Sequence, residues 1–546
     1  MIYFWKKFKI ILIIIVVWGG VFSLINFSQA KIDISPSLAT TFGLGTKGFK
    51  QILIDIVNAF LGLVGVVALS VILYGGFLWM TSGGNPQKIE KARSVIISGI
   101  IGLAVILSSL AIVWFVFRGT TGGGGSAGGG AGGNSSGNGA LGGGALQSVY
   151  PAPGQRNVAR NTNIAVTFKE EIDPNSIRDA AGNILLDASG VPVVKIAKQK
   201  DILTGPYIQA SVTVSAGNRT FVFNPVDLLG NASENEWYTV ELTNNILKAD
   251  GTPVFGGLGG FDWSFEVGTF ADNTPPYIVS VFPVSGGTYA KNAVIQIRFS
   301  EAVDPSAINN TTIVISDSGG SVSGNLKISN QYRTVEFLGA SCGVNSCNET
   351  VYCLPGGETI TTTVFAADLG SEPPLALGPP FNGVVDMAGN SLDGNHNNIA
   401  EGPGTDNYVW SFNTNNDMEL TAPTISNIDP ALGEQGVPLY DPIEILFSEL
   451  IMSSSLNNNN LKIINPVTDY WVTAENIPSA LPVQTQAYIY HNKFKTATDY
   501  KLEATSQIKD IYQNCLFPSI GPGCIAPAPA GQNCCCQGAW ASCPCP

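Results

Sequence analysis

Two long stretches without a single charged residue set the strongest limit on how this chain can fold. They span residues 57–80 and 94–117, and each is long enough to cross about 30 Å of hydrocarbon as an α-helix. The connection, residues 81–93, carries Lys88, Lys91 and Arg93. Short basic loops stay on the cytoplasmic side of a membrane. We therefore predict a transmembrane α-helical hairpin whose loop faces the cytoplasm and whose ends face outward.

The first 30 residues have the three-part build of a secretory signal peptide. Lys6, Lys7 and Lys9 precede an apolar run at 10–21, and residues 28–30 offer small side chains for cleavage. An uncleaved signal anchor is the alternative interpretation. Either way, the signal predicts the same outward-facing ends of the hairpin.

Charge is distributed unevenly along the chain. The chain has 28 basic and 41 acidic residues. The part up to Arg118 contains 10 basic and 3 acidic residues, and the part beyond it contains 18 basic and 38 acidic residues. A strongly acidic remainder repels nucleic acid. We therefore expect no nucleic-acid partner.

Small residues occur throughout both apolar stretches, for example Gly62, Gly65, Gly99 and Gly102. In lipid, small residues let helices approach closely. They indicate either lateral assembly of many copies into a homo-oligomer or only the packing of the two helices on each other. Both alternatives stay open.

The signal, the two helices and the Gly-Asn-Pro plus basic loop between them resemble the TrbC/VirB-type pilins of type IV secretion systems. The resemblance covers about residues 42–118, and residues 83–102 are its most specific part. It implies a hairpin that polymerises into a pilus with the basic loop lining the lumen. Such pilins end soon after the second helix, whereas this chain continues for several hundred residues.

A Gly-rich segment at 119–145 follows the hairpin and has no periodic apolar pattern. We predict a flexible linker that spans about 30 Å root-mean-square.

Beyond the linker, three copies of one pattern follow each other. They share a proline near the start, at Pro151, Pro283 and Pro430. They also share a phenylalanine at the end of a stretch of alternating apolar residues, at Phe168, Phe299 and Phe447. Such alternation buries one face of a β-strand, and short strands with frequent Gly, Pro and Asn turns are typical of an immunoglobulin-like sandwich.

With their Phe-Ser-Glu and Asp-Pro turns, Asp386-Met-Ala-Gly-Asn390 and Trp-Ser-Phe strands, the copies resemble the SbsA-type Ig-like domains of bacterial surface-layer and surface-anchored proteins. The predicted fold class is therefore multidomain, a transmembrane α-helical hairpin followed by a tandem array of all-β Ig-like sandwiches. The third copy is incomplete, since no Trp-Ser-Phe strand follows Asp510. The predicted segments are a signal peptide 1–30, a pilin-like module 42–118, the linker 119–145, Ig-like domains 146–270, 275–415 and 422–514, and a Cys/Pro-rich tail 515–546.

The sequence indicates no enzyme. The only two histidines, His396 and His491, lack the carboxylate setting that a Ser-His-Asp site needs. Glu170, Glu171 and Asp173 cluster, but Glu301 and Asp304 recur at the same place in the next copy. This recurrence favours a structural turn over acid-base chemistry.

Calcium is the one metal that the sequence suggests, and no other cofactor is expected. The oxygen-bearing residues Asp386, Asn390, Asp393 and Asn395 lie close in sequence, and calcium takes six to eight oxygen ligands. An EF-hand is not matched, because Asn398 stands where the turn glycine belongs. Asx-rich turns also form to satisfy backbone hydrogen bonds, so both interpretations are kept.

All ten cysteines lie after residue 340, which fits disulfides in an oxidising compartment. Three lie in the second Ig-like copy and seven in the tail, and both numbers are odd. A disulfide between the two groups of cysteines and a disulfide between chains are therefore both alternatives. The candidates are Cys342, Cys347, Cys353, Cys515, Cys524, Cys534, Cys535, Cys536, Cys543 and Cys545.

We therefore expect a membrane-anchored, surface-displayed structural or adhesive protein, located in the cell membrane with its Ig-like region outside the cytoplasm. The alternative is a subunit of a type IV secretion-like pilus whose Ig-like domains decorate the filament. Expected partners are the lipid bilayer, secretion-system or surface components, and an extracellular protein or glycan that the sequence does not identify.

Overall fold

The computed structural model describes residues 141–517 except 216, 257–258, 371–374, 466–468 and 479–481, together with 524, 531, 534–536 and 539–541. The predicted signal peptide, the two apolar stretches and the loop with Lys88, Lys91 and Arg93 lie outside the described residues. Within the described part, no helix is both long and apolar enough to cross a membrane.

Domain 1 is a sandwich of two antiparallel sheets. It begins inside the predicted linker, because the 3-10 turn Leu141–Gly144 buries Leu141 in the domain core. One sheet has the strand order β1-β2-β5-β4 and the other β3-β6-β7. The strands are β1 Leu146–Tyr150, β2 Ile164–Phe168, β3 Val194–Lys198, β4 Ala210–Ser215, β5 Thr220–Pro225, β6 Glu236–Thr243 and β7 Gly260–Val267.

Domain 2 repeats this sandwich with additional strands. Its sheets have the orders β13-β14-β10-β8 and β12-β11-β17-β18-β9, and β15 and β16 form a separate hairpin. The strands are β8 Ile278–Phe282, β9 Thr288–Tyr289, β10 Ile295–Phe299, β11 Ile313–Asp317, β12 Gly320–Ser321, β13 Asn325–Ser329, β14 Thr334–Leu338, β15 Ala340–Val344, β16 Thr350–Cys353, β17 Thr359–Val364 and β18 Tyr408–Thr414.

Domain 3 has one sheet of order β19-β20-β23-β22 and a second sheet of only β21 and β24, and the tail adds the hairpin β25-β26. Among its described residues, nothing corresponds to β7 or β18 of the other domains. The strands are β19 Ile425–Asp429, β20 Ile443–Phe447, β21 Leu461–Asn465, β22 Tyr470–Ile477, β23 Gln484–His491, β24 Lys501–Ala504, β25 Cys534–Cys536 and β26 Ala539–Ala541.

The Trp-Ser-Phe strand and the repeat proline are joined in the same way in two domains. Trp263 donates its indole N–H to the carbonyl of Pro151 at 2.9 Å, and Trp410 donates to Pro283 at 3.1 Å. A buried indole needs such an acceptor. Two motifs more than a hundred residues apart in sequence therefore hold one end of each sandwich together.

The alternation of apolar residues along the strands correctly predicts which side chains lie in the core of each domain. Ile164, Val166 and Phe168 of β2 lie in the core of domain 1, and Ile295, Ile297 and Phe299 of β10 lie in that of domain 2. The counterparts in domain 3 are Ile443, Ile445 and Phe447 of β20. The all-β character expected for this region is confirmed.

Domain junctions and candidate metal sites

Strand β2 of domain 1 is buried on both faces. One face lines the core, and the other carries Ala165 and Thr167. Ala165 packs with Val222 of β5 and with Ala302, Tyr332 and Met387 of domain 2. The second face of the sheet is therefore an interdomain contact rather than a solvent surface.

Polar contacts complete this junction between domains 1 and 2. The buried Tyr332 hydroxyl lies 2.9 Å from the Thr167 hydroxyl and donates to the Ser148 carbonyl at 3.3 Å. Asn163 donates its backbone N–H to the Met387 carbonyl at 2.6 Å and its side-chain amide to Asp304 at 3.0 Å. Because buried polar groups are costly when unpaired, these contacts fix the relative position of the two domains.

The junction between domains 2 and 3 uses the equivalent sheet face of domain 2. Glu336 of β14 is 0% exposed and accepts from the backbone N–H groups of Ser453 and Ser454. Gln296 of β10 donates to Glu336 at 2.9 Å and to the Ile451 carbonyl at 3.2 Å. The apolar part contains Val294 and Leu338 of domain 2 and Leu450, Met452 and Ile511 of domain 3.

Disulfides are present, as the cysteine content predicted. Cys347 of domain 2 is bonded to Cys515 at the end of domain 3. This bond joins the cysteines of the second Ig-like copy to those of the tail, which was one of the two alternatives from the sequence. Cys342 and Cys353 join β15 to β16. Cys524 and Cys535 are bonded in the tail, and Cys534 is also disulfide-bonded. Cys543 and Cys545 lie outside the described residues.

Domain 3 also contacts domain 1 directly. Trp471 of β22 packs into the core cluster of domain 1, and Lys169 donates to the Asn459 side chain at 2.6 Å. Where the three domains meet, Ser329, Gln331, Ser453 and Asn458 line a polar cleft. Each has a buried polar atom without a hydrogen-bond partner among the described residues. Ordered water ordinarily satisfies such atoms.

The predicted calcium residues lie in two separate turns. In the first, Asp386 accepts from the backbone N–H groups of Ala388 and Asn390, each at 2.8 Å, and Asn390 donates its amide to Asp386 at 2.8 Å. The same three bonds occur in domain 3, where Asp510 accepts from Tyr512, from the Asn514 backbone and from the Asn514 amide. Because the bonds repeat, this turn has a structural role in both domains.

In the second turn, Asp393 accepts from the backbone N–H groups of Asn397 and Asn398 at 3.1 and 2.6 Å. Asn395 accepts from the Asn397 N–H at 3.0 Å and donates to Glu401 at 2.9 Å. Asn398 has a φ of 68°, a conformation that Asn tolerates better than most residues. Asn398 thus adopts a left-handed backbone conformation at the position where an EF-hand loop has its turn glycine.

An acidic cluster that the sequence did not predict lies at the first junction. Carboxylate oxygens of Asp272, Glu301 and Asp386 all lie within 4.8 Å of one another. Burial, with Asp386 and Asp272 adding repulsion, raises the pKa of Glu301 to about 9. Burial also raises the pKa of Asp386 to about 7, although its hydrogen bonds to Asn390 act in the opposite direction.

The second junction has a matching set of acidic residues. Asp510 and Glu449 occupy the positions of Asp386 and Glu301. Glu419 lies between β18 of domain 2 and β19 of domain 3, as Asp272 lies between β7 of domain 1 and β8 of domain 2. Burial raises the pKa of Asp510 to about 8, with smaller contributions from Glu449 and Glu419. Burial, followed by Glu419, raises the pKa of Glu449 to about 7. Recurrence of Glu301 and Glu449 after the Phe-Ser pair was the sequence signal that could have identified both sets.

The other residues considered for catalysis have structural settings. Asp173 caps a 3-10 turn by accepting from the Asn175 N–H at 3.0 Å, and Asp304 caps the equivalent turn through Ser306 at 2.8 Å. His491 lies between the backbone carbonyls of Asn492 and Asp441 at 2.8 and 2.9 Å. Burial lowers the pKa of His491. His396 stacks on Tyr277 at 3.8 Å between ring centroids.

The solved structures that match this chain have low similarity to it. CopC from Methylosinus trichosporium OB3b is 14% identical, with a TM-score of 0.15 over 22% of this chain and 91% of CopC. The S-layer protein SbsC is 10% identical, with a TM-score of 0.17 over 81% of this chain and 62% of that chain. A chimeric titin Z1Z2 is 8% identical, with a TM-score of 0.17 over 50% of this chain and 98% of that chain. These values support no functional argument, and no curated protein matches the chain.

Two family models match the sequence itself. The model of the bacterial Ig-like domain matches residues 144–267, 272–341 and 419–520, which together make up more than half of the chain. The model of the type IV secretion system pilin matches residues 45–116. Both resemblances seen in the sequence are thereby confirmed. The chain belongs to the bacterial Ig-like domain family and carries a type IV secretion system pilin domain at residues 45–116.

Proposed function

We propose that this protein is a membrane-anchored structural or adhesive protein whose pilin domain holds the three Ig-like domains outside the cytoplasm. The combination of a pilin domain with Ig-like domains in one chain carries the proposal. Such domains are typically structural modules of surface or secretion-associated proteins, and nothing in the described part of the chain points to catalysis.

The packing of the Ig-like domains supports a role in rigid presentation. Domain 2 has an apolar and hydrogen-bonded junction with each of its neighbours, and Cys347 and Cys515 add a covalent bond. Domains that share such contacts resist bending better than domains joined by flexible linkers alone. The unit is therefore suited to hold a surface in a fixed orientation towards a protein or glycan partner.

The pilin match favours a second candidate function. In it, residues 45–116 assemble laterally into a filament of the type IV secretion kind, and the Ig-like domains decorate its outside. The small residues of the two apolar stretches support such close helix packing. This candidate requires secretion-system components as partners, whereas the first requires only the bilayer.

Immunogold labelling of intact cells with an antibody against residues 146–517 separates these functions. Dispersed label over the envelope is expected for the anchored protein, and label along filaments would support the pilus subunit. Deletion of residues 45–116, with the signal kept, should release the Ig-like region from the envelope in both cases. If label appears only after cells are permeabilised, the Ig-like region is not outside and both functions are wrong.

A further inference from the structure

Among the described residues, domain 3 lacks a strand that domains 1 and 2 both have. In domain 1, β6 lies between β3 and β7, and in domain 2, β17 lies between β11 and β18. The counterpart in domain 3 is β24, which pairs with β21 on one side. No strand of the described chain lies on its other side. An edge strand of this kind can accept a further strand through its backbone groups.

Leu502 of β24 shows what the missing strand leaves uncovered. It lies opposite Ile463, which follows the preceding 3-10 turn at the same distance as Ile315 does in domain 2. Ile315 lies opposite Thr362, which has Trp410 of β18 on its other side and is 0% exposed. Leu502 corresponds to Thr362 but is 38% exposed. In the described part of domain 3, the position at which domain 2 has its tryptophan is therefore open.

Two backbone groups of domain 3 are without the partners that this strand supplies elsewhere. The tryptophan of the strand donates to the carbonyl of the repeat proline in domains 1 and 2. The glycine three residues later donates to the carbonyl of the serine beside the tryptophan, as Gly286 does to Ser411 at 2.8 Å. In domain 3 these groups are Pro430 and Gly433, and no described residue bonds to the Pro430 carbonyl or to the Gly433 N–H. Both groups are thus placed to receive a strand that carries a tryptophan.

The chain leaves domain 3 at the point from which domain 2 continues towards β18. In domain 2, Asp393 donates its N–H to the Pro276 carbonyl at 2.8 Å. In domain 3, Phe517 donates its N–H to the Pro423 carbonyl at 3.0 Å. Both residues follow the Asp-x-x-x-Asn turn of their domain at the same distance. The tail therefore starts where the segment that leads to β18 starts in domain 2.

The tail is long enough to supply the missing strand and contains a tryptophan. Residues 394–407 lead from the equivalent point to β18 in domain 2, and residues 518–538 lead to β26 in the tail. Trp540 of β26 is the only tryptophan in the sequence beyond β24. One edge of β26 pairs with β25, and its other edge is unpaired among the described strands.

We propose that β26 docks on the free edge of β24 and completes the second sheet of domain 3, with Trp540 opposite Leu502 and its indole N–H on the Pro430 carbonyl. The pairing is antiparallel, as is that of β17 with β18. The completed sheet has the order β21-β24-β26-β25. The tail of the same chain is favoured over a strand from a second copy or from another protein, because its tether gives it a high effective concentration at the edge.

The tail differs from β18 at one position, and domain 3 compensates for this difference. Phe412, two residues after the tryptophan of β18, lies opposite Ile360. The residue two places after the tryptophan of the tail is Ser542. In domain 3, however, Tyr500 stands in the place of Ile360, and it stacks on Phe494 with 3.8 Å between the ring centroids. These two rings provide the aromatic surface that Phe412 provides in domain 2.

Photocross-linking of the full-length protein, purified in detergent, tests the docking. Trp540 is replaced by p-benzoylphenylalanine, the protein is irradiated, and mass spectrometry locates the cross-link. A cross-link to residues 430–433 or 500–504 of the same chain is the expected result. A cross-link that joins two chains shows that a second copy receives the strand, and it overturns docking within the chain. A cross-link elsewhere in the chain, or none, overturns the proposal as well.

Hydrogen exchange measures the edge itself. The amides of residues 501–504 should exchange at least about tenfold faster in Trp540→Ala than in the unmodified protein, because the docked strand no longer protects them. Leu502→Ser should have the same effect. The matched control is Ile464→Ser, at a position 43% exposed on the neighbouring β21, and it should leave this exchange unchanged.

Circular dichroism verifies that each variant is folded. Equal exchange of residues 501–504 in Trp540→Ala and in the unmodified protein overturns the proposal.

Discussion

Cys347 and Cys515 form a disulfide across 168 residues of sequence, with their α-carbons 6.2 Å apart, and so join domain 2 covalently to the end of domain 3. A cross-link stabilises a protein mainly by restricting the unfolded chain, and the effect grows with loop length. We therefore predict that the double variant Cys347→Ser/Cys515→Ser loses about 2 to 5 kcal/mol of unfolding free energy. Denaturant unfolding without reductant measures this loss.

Cys342 and Cys353 provide the matched control, because their bond closes a loop with a sequence separation of only 11. The variant Cys342→Ser/Cys353→Ser should lose less stability than the first. Equal losses in the two double variants would contradict the role assigned to the longer loop.

Glu336 is the central polar residue of the second junction. In Glu336→Gln, one carboxylate oxygen becomes an amide NH₂ that cannot accept from Ser453 or Ser454. We expect a loss of about 1 to 3 kcal/mol, the cost of leaving a buried donor unpaired. Thermal unfolding measures it, with Glu503→Gln at the half-exposed pair with Lys462 as control. A loss no larger than that of the control would show that the junction tolerates the change.

Tyr332 tests the first junction. Tyr332→Phe keeps the ring among Ala165, Val222 and Met387 but removes the hydroxyl that contacts Thr167 and Ser148. We expect a loss of about 1 kcal/mol, typical of one net hydrogen bond. Tyr207→Phe, whose hydroxyl donates to Leu203 at an exposed position, should lose much less. Cleavage by protease in the linker at 268–277 should increase in Tyr332→Phe and not in the control.

Titration of Glu301 makes the stability of the folded protein depend on pH. Its pKa is about 9 in the folded protein against an ordinary 4.5, with burial as the main cause and with Asp386, Asp272 and Arg333 facing it. The folded state therefore holds a proton that the unfolded chain releases above about pH 4.5. Stability from this group is fully present below that pH and declines as pH rises towards 9.

Glu301→Gln replaces the carboxyl with a neutral group of the same shape. We expect it to raise the melting temperature at pH 8.5 relative to the unmodified protein and to change it little at pH 4.5. Glu234→Gln, an exposed substitution in domain 1, should have no such effect. If Glu301→Gln and the unmodified protein lose stability equally between the two pH values, another group causes the dependence.

Sequence patterns located the three repeats, the alternating strand near the start of each repeat and cysteines that form disulfides, because these features are local. Alternation of apolar residues directly reports which side chains of a strand share a face, and it correctly identified Ile164, Val166 and Phe168 as core. The pilin and Ig-like resemblances were also available from short motifs. Neither source of information depends on how distant parts of the chain meet.

Only the tertiary structure decided what covers the second face of the sheet that contains β2 and of the sheet that contains β10 and β14. Ala165 and Thr167 have the small or polar character of a solvent-facing row, and Glu336 and Gln296 are ordinarily exposed residue types. Domain 2 covers the first pair and domain 3 the second. The partner surfaces lie more than a hundred residues away in sequence, and strand alternation contains no information about them. The same reason explains why the pairing of Cys347 with Cys515 and the acidic cluster of Asp272 with Glu301 required the folded chain.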